Sequence, residues 1–154
     1  MDFRTKVNHH SFGVRATALI IRDNHIFLGK HEDGFHTIGG VGGAIEVGET
    51  SSQAALREMQ EEIGIAGEIV DLAFVVENQF TADSLKFHNI EFHYIIKPLE
   101  EPPTKMVEGK ESYPCEWLPL DELDNFDIKP AFLKKALINW DGQLKHIVNK
   151  DGED

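Results

Sequence analysis

Residues 43–65 read GAIEVGETSSQAALREMQEEIGI. A polar turn gives way here to helical periodicity. Thr50 or Ser51 can cap a helix start by accepting a backbone N–H, and Gly64 supplies a stop signal. The spacing therefore predicts a helix of three turns or more ending at Ile63. At about 100° per residue, Glu58, Glu61 and Glu62 stand at i, i+3 and i+4 and share one face. Leu56, Met59 and Ile63 lie on nearly the opposite side, so the helix can dock its apolar side on a sheet and project three carboxylates away from it. Like charges this close repel one another. A hard divalent cation, Mg²⁺ or Mn²⁺, prefers such oxygen ligands and relieves the repulsion.

Outward from the helix, the chain alternates strand and turn signals. Residues 14–21 (VRATALII) are apolar and β-branched and predict a strand, with residues 26–29 as its hairpin partner across Arg22-Asp23-Asn24-His25. Five glycines (39, 40, 42, 43 and 48) between His36 and Glu49 are too many for a helix and predict a loop with short extended pieces. Residues 68–80 and 89–97 predict two strands separated by the polar connection TADSLKFH. Residues 100–112, with Pro102-Pro103 and several charges, predict an exposed loop. Residues 115–120 predict a short strand interrupted by Pro119, and residues 130–140 a second helix, with Pro130 in its first turn and Gly142 past its end. The order β, β, loop, α, β, β, β, α favours an α/β fold in which helices pack on a mixed sheet.

The chain has 154 residues, 41% hydrophobic and 27% charged, which suits one globular domain spanning residues 1–154. No apolar run is long enough to span a bilayer, and residues 1–11 are too polar for a signal peptide, so no membrane partner and a cytoplasmic location are expected. Cys115 is the only cysteine, which excludes an internal disulfide and a thiolate cage; any metal must take oxygen or imidazole ligands. The net charge of −12 comes without a Lys/Arg cluster able to follow a phosphate backbone, so polymeric nucleic acid is not an expected partner. An acidic protein acting on a small anionic substrate must supply positive charge locally, and a divalent cation does so.

A bare ExxEE reads first as a solvated acidic helix face, because glutamate is a common helix former. Its context reverses that reading. Gly43 is followed after five residues by Glu49, after seven more by Arg57-Glu58, then Met59, a free position, Glu61-Glu62, a free position, and Gly64-Ile65. This pattern resembles the signature of the Nudix hydrolase family, G-x5-E-x7-R-E-U-x-E-E-x-G-U with U bulky and apolar, at every constrained position. A weaker likeness to MutT-like members extends over about residues 15–137, including VVENQF and NIEFHY. The resemblance implies a Nudix α/β/α sandwich with a mixed central sheet, a loop-helix-loop at the signature, and a homodimer among the expected states. One departure stands ahead of the signature: many members have Pro-Gly-Gly where this chain has Val41-Gly42-Gly43, which predicts a looser loop.

Glu58 and Glu62, one turn apart, are the expected direct metal ligands, and Glu61 joins them or acts through a metal-bound water. The family's backbone-carbonyl metal contact carries over to Gly42. Arg57 is expected to hold carboxylates in place, Glu49 among them. Glu49 orients the helix or touches the metal shell, so Glu49, Arg57, Glu58 and Glu61 form the catalytic set. The general base is a signature glutamate or one from the later loop, Glu108 or Glu111. His31, His36, His88 and His93 are scattered without metal-ligand spacing and read as surface or half-buried residues. Phe80, Phe87 and Phe92 read as core in preference to base stacking. Phe80 and Glu91 are kept as substrate-binding candidates.

The expected activity is metal-dependent hydrolysis of a phosphoanhydride (pyrophosphate) bond in a nucleoside diphosphate linked to another moiety: a nucleoside triphosphate, ADP-ribose or a nucleotide sugar. The alternative from a different class is a catalytically silent nucleotide-binding or regulatory module on the same fold. Such a module does not need all three helix carboxylates, and here none is missing.

Overall fold

The apolar run at residues 14–21 extends in both directions to form one long strand, β2 (His10–Arg22), in a computed structural model that describes residues 1–150, the side chain of Glu108 excepted. Along the chain the other elements are β1 (Arg4–Val7), β3 (His25–Lys30), β4 (His36–Thr37), β5 (Gly42–Ala44), α1 (Ser51–Ile63), β6 (Gly67–Ala82) and β7 (Leu85–Pro98). They continue with β8 (Lys105–Glu108), β9 (Glu111–Pro119), a 3-10 turn at Leu120–Asn125, β10 (Ile128–Lys129), α2 (Ala131–Ile138) and β11 (Lys145–Lys150).

Strand β2 organises the sheet because both its edges are used. One edge pairs in parallel with β7 from His10↔Lys86 to Ile20↔Ile96. The other is shared in succession by β1, β5 and β3, all antiparallel. Antiparallel β6 and parallel β11 continue beyond β7, giving the order β10-β4-β3-β2-β7-β6-β11 and the mixed sheet expected from the element order.

Side-chain alternation divides the core between the two faces. Ala16, Ala18 and Ile20 of β2 pack with Ala54, Ala55, Met59 and Ile63 of α1, while Leu19 packs with Phe74, Val76 and Ile95 and with Leu133 and Leu137 of α2. A helix thus covers each face, which is the α/β/α sandwich.

Helix α1 has the predicted ends. Thr50 is the N-cap: its hydroxyl accepts from the Gln53 N–H at 3.2 Å, and its own N–H donates to Gln53 Oε1 at 2.8 Å. Gly64 closes the last turn with φ 72° and donates to the Gln60 carbonyl. The hairpin across Asp23-Asn24 also forms, with both residues at positive φ as a two-residue turn of this hand requires.

Elsewhere pairing overrides local polarity. The connection expected between residues 80 and 89 shrinks to the turn Asp83-Ser84, because Thr81↔Lys86 and Ala82↔Leu85 extend the ladder. The exposed loop expected at residues 100–112 contains β8, which pairs with β9 and buries Met106 against the α1-side core. Helix α2 stops at Ile138, and Trp140 lies beyond it with Nε1–H donating to the Gln143 carbonyl. Strands β1, β10 and β11 carry no clear sequence signal and exist as additions to edges.

The reciprocal Thr50–Gln53 cap gives a direct stability test. Replacing Thr50 by Ala should cost about 1 kcal/mol, read in denaturant titration as a lower midpoint at unchanged slope; an unchanged midpoint would remove the cap from the account of where α1 begins.

Candidate active site

Strand β5 brings the glycine-rich loop against β2, with Ala44, Gly43 and Gly42 opposite Arg15, Ala16 and Thr17. The approach is closer than a side chain allows: a Cβ on Gly42 would lie 2.4 Å from the Ala16 carbonyl oxygen and 2.9 Å from Thr17 Cα. Val41 stands where many signatures have proline, and the looser loop expected from that change is countered by contacts. Its side chain is buried in the α1-side core and its carbonyl accepts the Ala18 N–H at 2.9 Å.

Helix α1 lays its acidic side on this loop. A Cβ on Gly43 would lie 2.5 Å from Glu58 Oε1, so the Glu58 carboxylate occupies the space that a side chain there would fill. The N–H of Gly42 donates to Glu62 Oε2 at 2.9 Å. The three helix carboxylates therefore do not project equally into solvent: Glu61 is 60% exposed, whereas Glu58 is 14% exposed and turned onto the loop.

Arg57 is the cation that Glu49, Glu58 and Glu61 share. Its guanidinium meets Glu49 through Nη2 at 2.7 Å and Nε at 3.1 Å, Glu58 at 2.9 Å and Glu61 at 3.3 Å, and it donates to the Ala44 carbonyl at 3.1 Å. The Arg57 hydrogen bonds, opposed by burial and aided by the Glu46 N–H, hold the Glu49 carboxyl below its ordinary value. Reciprocally, the bonds to Glu49, joined by those to Glu58, hold the guanidinium charged well above its own. Among the described residues no three His, Cys, Asp or Glu side chains already enclose one point as a cation cage does. The donor set nevertheless suits a hard divalent cation: Glu49, Glu58 and Glu61 lie around Arg57, and Glu62 accepts from the Gly42 N–H of the same glycine loop.

The same loop borders a cavity of about 700 Å³ on the opposite, α2-facing side of the sheet. Gly39 and Gly40 form part of its wall, together with Arg15, Thr17, His93 and Phe132. Both substrate-binding candidates lie there. Phe80 lines the cavity and stacks on Phe87, its cross-strand partner, with centroids 4.9 Å apart and planes 8° apart. Glu91 lines it too, and is buried between Asn78 Nδ2 at 3.1 Å and His93 Nε2 at 2.9 Å. Phe92 packs in the α1-side core.

The later-loop base candidates are placed differently. Glu111 lies at the tip of the β8–β9 hairpin and accepts from the Tyr113 hydroxyl, and the side chain of Glu108 lies outside the described residues. Among the histidines, His36 and His93 are buried, a role the scatter of histidines along the chain did not distinguish. Cys115 is half-buried, and burial pushes its thiol up to about 11, which keeps it protonated and unreactive.

A NUDIX domain family model matches residues 12–140. The chain belongs to the Nudix family. It is a Nudix hydrolase whose signature residues are those gathered around Arg57. It is 34% identical over 117 residues, 73% of this chain and 84% of the relative, to the 8-oxo-dGTP diphosphatase of Escherichia coli (strain K12). The fold is shared with the MutT protein from Bacillus halodurans, at TM-score 0.66 and 16% identity over 92% of each chain. It is shared also with an ADP-ribose pyrophosphatase from Streptococcus suis, at TM-score 0.59 and 14% identity over 88% of this chain and 98% of that one.

The two signature glycines should separate experimentally. Gly42→Ala puts a methyl into the β2 backbone and should destabilise the fold by about 1–3 kcal/mol. Gly43→Ala meets only the movable end of Glu58, so its melting temperature should stay near that of the parent while hydrolytic activity falls. Equal stability losses in the two variants would contradict this division.

The lowered Glu49 carboxyl predicts a sign for pH. Its stabilising contribution is complete above the ordinary value of 4.5 and is lost as the pH falls through the lower folded value. Glu49→Gln should therefore be less stable than the parent at pH 7, with the gap closing as the pH falls below 4.5; a gap that widens on acidification would refute the pairing.

Proposed function

We propose that this Nudix hydrolase cleaves the phosphoanhydride bond of a nucleoside diphosphate linked to another moiety, with Mg²⁺ or Mn²⁺ as cofactor. One observation carries the reading: a single five-residue stretch, Gly39 to Gly43, lines a nucleotide-sized cavity with its first residues and seats Glu58 and Glu62 with its last. The four glutamates do not line that cavity, so in this reading the diphosphate extends past the edge of the loop to reach them.

Glu58, Glu61, Glu62 and the Gly42 carbonyl would hold the cation, which when bound neutralises diphosphate charge and makes water more acidic. The chain's own residues do the rest. Arg57 holds Glu49 and Glu58 beside the loop, and a bound cation would draw the carboxylates together from there. A signature glutamate near the attacking water takes its proton; the new P–O bond forms as the bridging P–O bond breaks, and phosphate or a phosphomonoester leaves. Among substrates, a nucleoside triphosphate is supported by the 34% identical 8-oxo-dGTP diphosphatase. ADP-ribose and nucleotide sugars complete the substrate panel. The cytoplasm is the proposed location; no helix among the described residues is long and apolar enough to cross a membrane.

The test is a panel of nucleoside triphosphates, ADP-ribose and nucleotide sugars assayed with MgCl₂ and MnCl₂, with both products identified. Glu61→Gln and Glu62→Gln should each lower turnover roughly 100-fold or more while far-UV circular dichroism is unchanged, because charge is removed and volume kept. Added Mg²⁺ should raise the melting temperature of the parent by mass action. Full activity in both variants, or a melting temperature indifferent to the metal, would overturn the assignment of these carboxylates, whereas no hydrolysis of any member of the panel would leave the silent nucleotide-binding module.

A further inference from the structure

The α2-facing side of the sheet changes character along its length. On β2 the side chains run Leu19, Thr17, Arg15; on β7 they run Ile95, His93, Glu91, Asn89; on β11 Ile147 is followed by Asn149. The apolar core thus gives way to a polar floor, and that floor lies under the cavity.

Part of the floor is internally satisfied. Glu91 takes Asn78 and His93, and the Asn78 carbonyl oxygen accepts from Asn149 Nδ2 at 2.9 Å. Five buried side-chain polar atoms have no hydrogen-bond partner among the described residues; one, His36 Nδ1, lies elsewhere, and the other four are His93 Nδ1, Thr17 Oγ1, Thr37 Oγ1 and Arg15 Nε. All four belong to residues lining this cavity. Buried polar atoms are normally paired, so these mark where a ligand's own donors and acceptors are met. His93 and Thr17 are each 1% exposed.

The polarity of each position follows from its neighbours. Burial pushes the Glu91 carboxyl up, but the hydrogen bonds from His93 and Asn78, with the charge of Arg15, outweigh it and hold the group below its ordinary value. An ionised carboxylate only accepts, so His93 Nε2 carries the hydrogen, and in the neutral form of the ring Nδ1 is then an acceptor. Thr17 lies directly opposite His93 in the β2–β7 ladder, and its hydroxyl can donate beside that acceptor. Arg15, opposite Glu91, donates only. Gly39 lies close over them: a Cβ there would touch Thr17 Cγ2 at 3.6 Å and His93 Cε1 at 3.8 Å.

We propose that the cavity takes a nucleobase with a lactam edge, an N–H next to a carbonyl. The N–H is accepted by His93 Nδ1, the carbonyl is met by the Thr17 hydroxyl and Arg15, and Glu91 is the positioning residue that fixes the His93 tautomer. The proposal rests on the reading that the substrate is a nucleotide. Guanine, thymine and uracil present such an edge. Adenine has no carbonyl, and the cytosine carbonyl has no ring N–H beside it. Glu91 accordingly acts through His93 and does not contact the base.

The test uses nucleoside monophosphates, so that it reads the base subsite independently of bond cleavage. With MgCl₂ present, calorimetry should show dGMP and dTMP binding at least about tenfold more tightly than dAMP and dCMP. Glu91→Gln should weaken dGMP about tenfold while leaving deoxyribose 5-phosphate, which has no base, unchanged. Nitrogen-15 NMR of the parent should show His93 protonated at Nε2 and bare at Nδ1, with the Nδ1 resonance moving on addition of dGMP; this readout does not depend on any variant folding. Equal affinity for the four bases, an Nδ1–H tautomer in the parent, or an equal loss for dGMP and deoxyribose 5-phosphate in the variant would each overturn the proposal. Base-selective binding without hydrolysis of any substrate would overturn the proposed reaction instead and leave this subsite standing.

Discussion

The site depends on one guanidinium. Arg57 donates to Glu49 ahead of α1, to Glu58 and Glu61 on it, and to the Ala44 carbonyl of β5, so one side chain joins the helix start, the helix face and the edge of the sheet. Without it, four glutamates meeting at a glycine loop would repel and the helix would lose its register against β5. Much of this network lies in partly buried surroundings, where the pairing is screened less than at an open surface. Glu49 and Glu58 are therefore held beside the loop by contacts of the fold itself.

Glycine makes that network possible by absence. At Gly42 the loop backbone comes within reach of the Ala16 carbonyl, and at Gly43 the Glu58 carboxylate lies where a Cβ would be. A loop this tight leaves its glycines little packing of their own, and burial of Val41 between them supplies it. The consequence is a sheet edge at which acidic groups from one face and a cavity on the other are separated by a single strand of backbone.

How much of this was legible varies with how local the cause is. The helix, its caps and the clustering of Glu58, Glu61 and Glu62 follow from spacing, because helical geometry is set by neighbours three and four residues apart. The Asp23-Asn24 turn is local in the same sense. By contrast, Thr81 to His88 looks like a polar connection and is strand apart from the Asp83-Ser84 turn, since pairing across the β6–β7 ladder outweighs the polarity of Lys86 and His88. Met106 lies in a segment rich in proline and charge, yet a hairpin partner and the α1-side core bury it. In the cavity, the alternation Asn89, Glu91, His93 was a visible signal of one polar strand face, but nothing in the sequence aligned it with Arg15 and Thr17.

By itself the sequence determined the acidic helix, the glycine loop before it and, through their spacing, the family; these rest on contacts within a few residues and on backbone conformations that particular residues permit. Only the tertiary structure decided that β2 and β7 run in parallel with Thr17 against His93, that Asn149 reaches Asn78, and that loop and cavity share a wall. Those facts join residues tens of positions apart, and which strand edges meet is settled by burial of two opposite apolar faces at once, a property of the assembled sheet that no local pattern encodes.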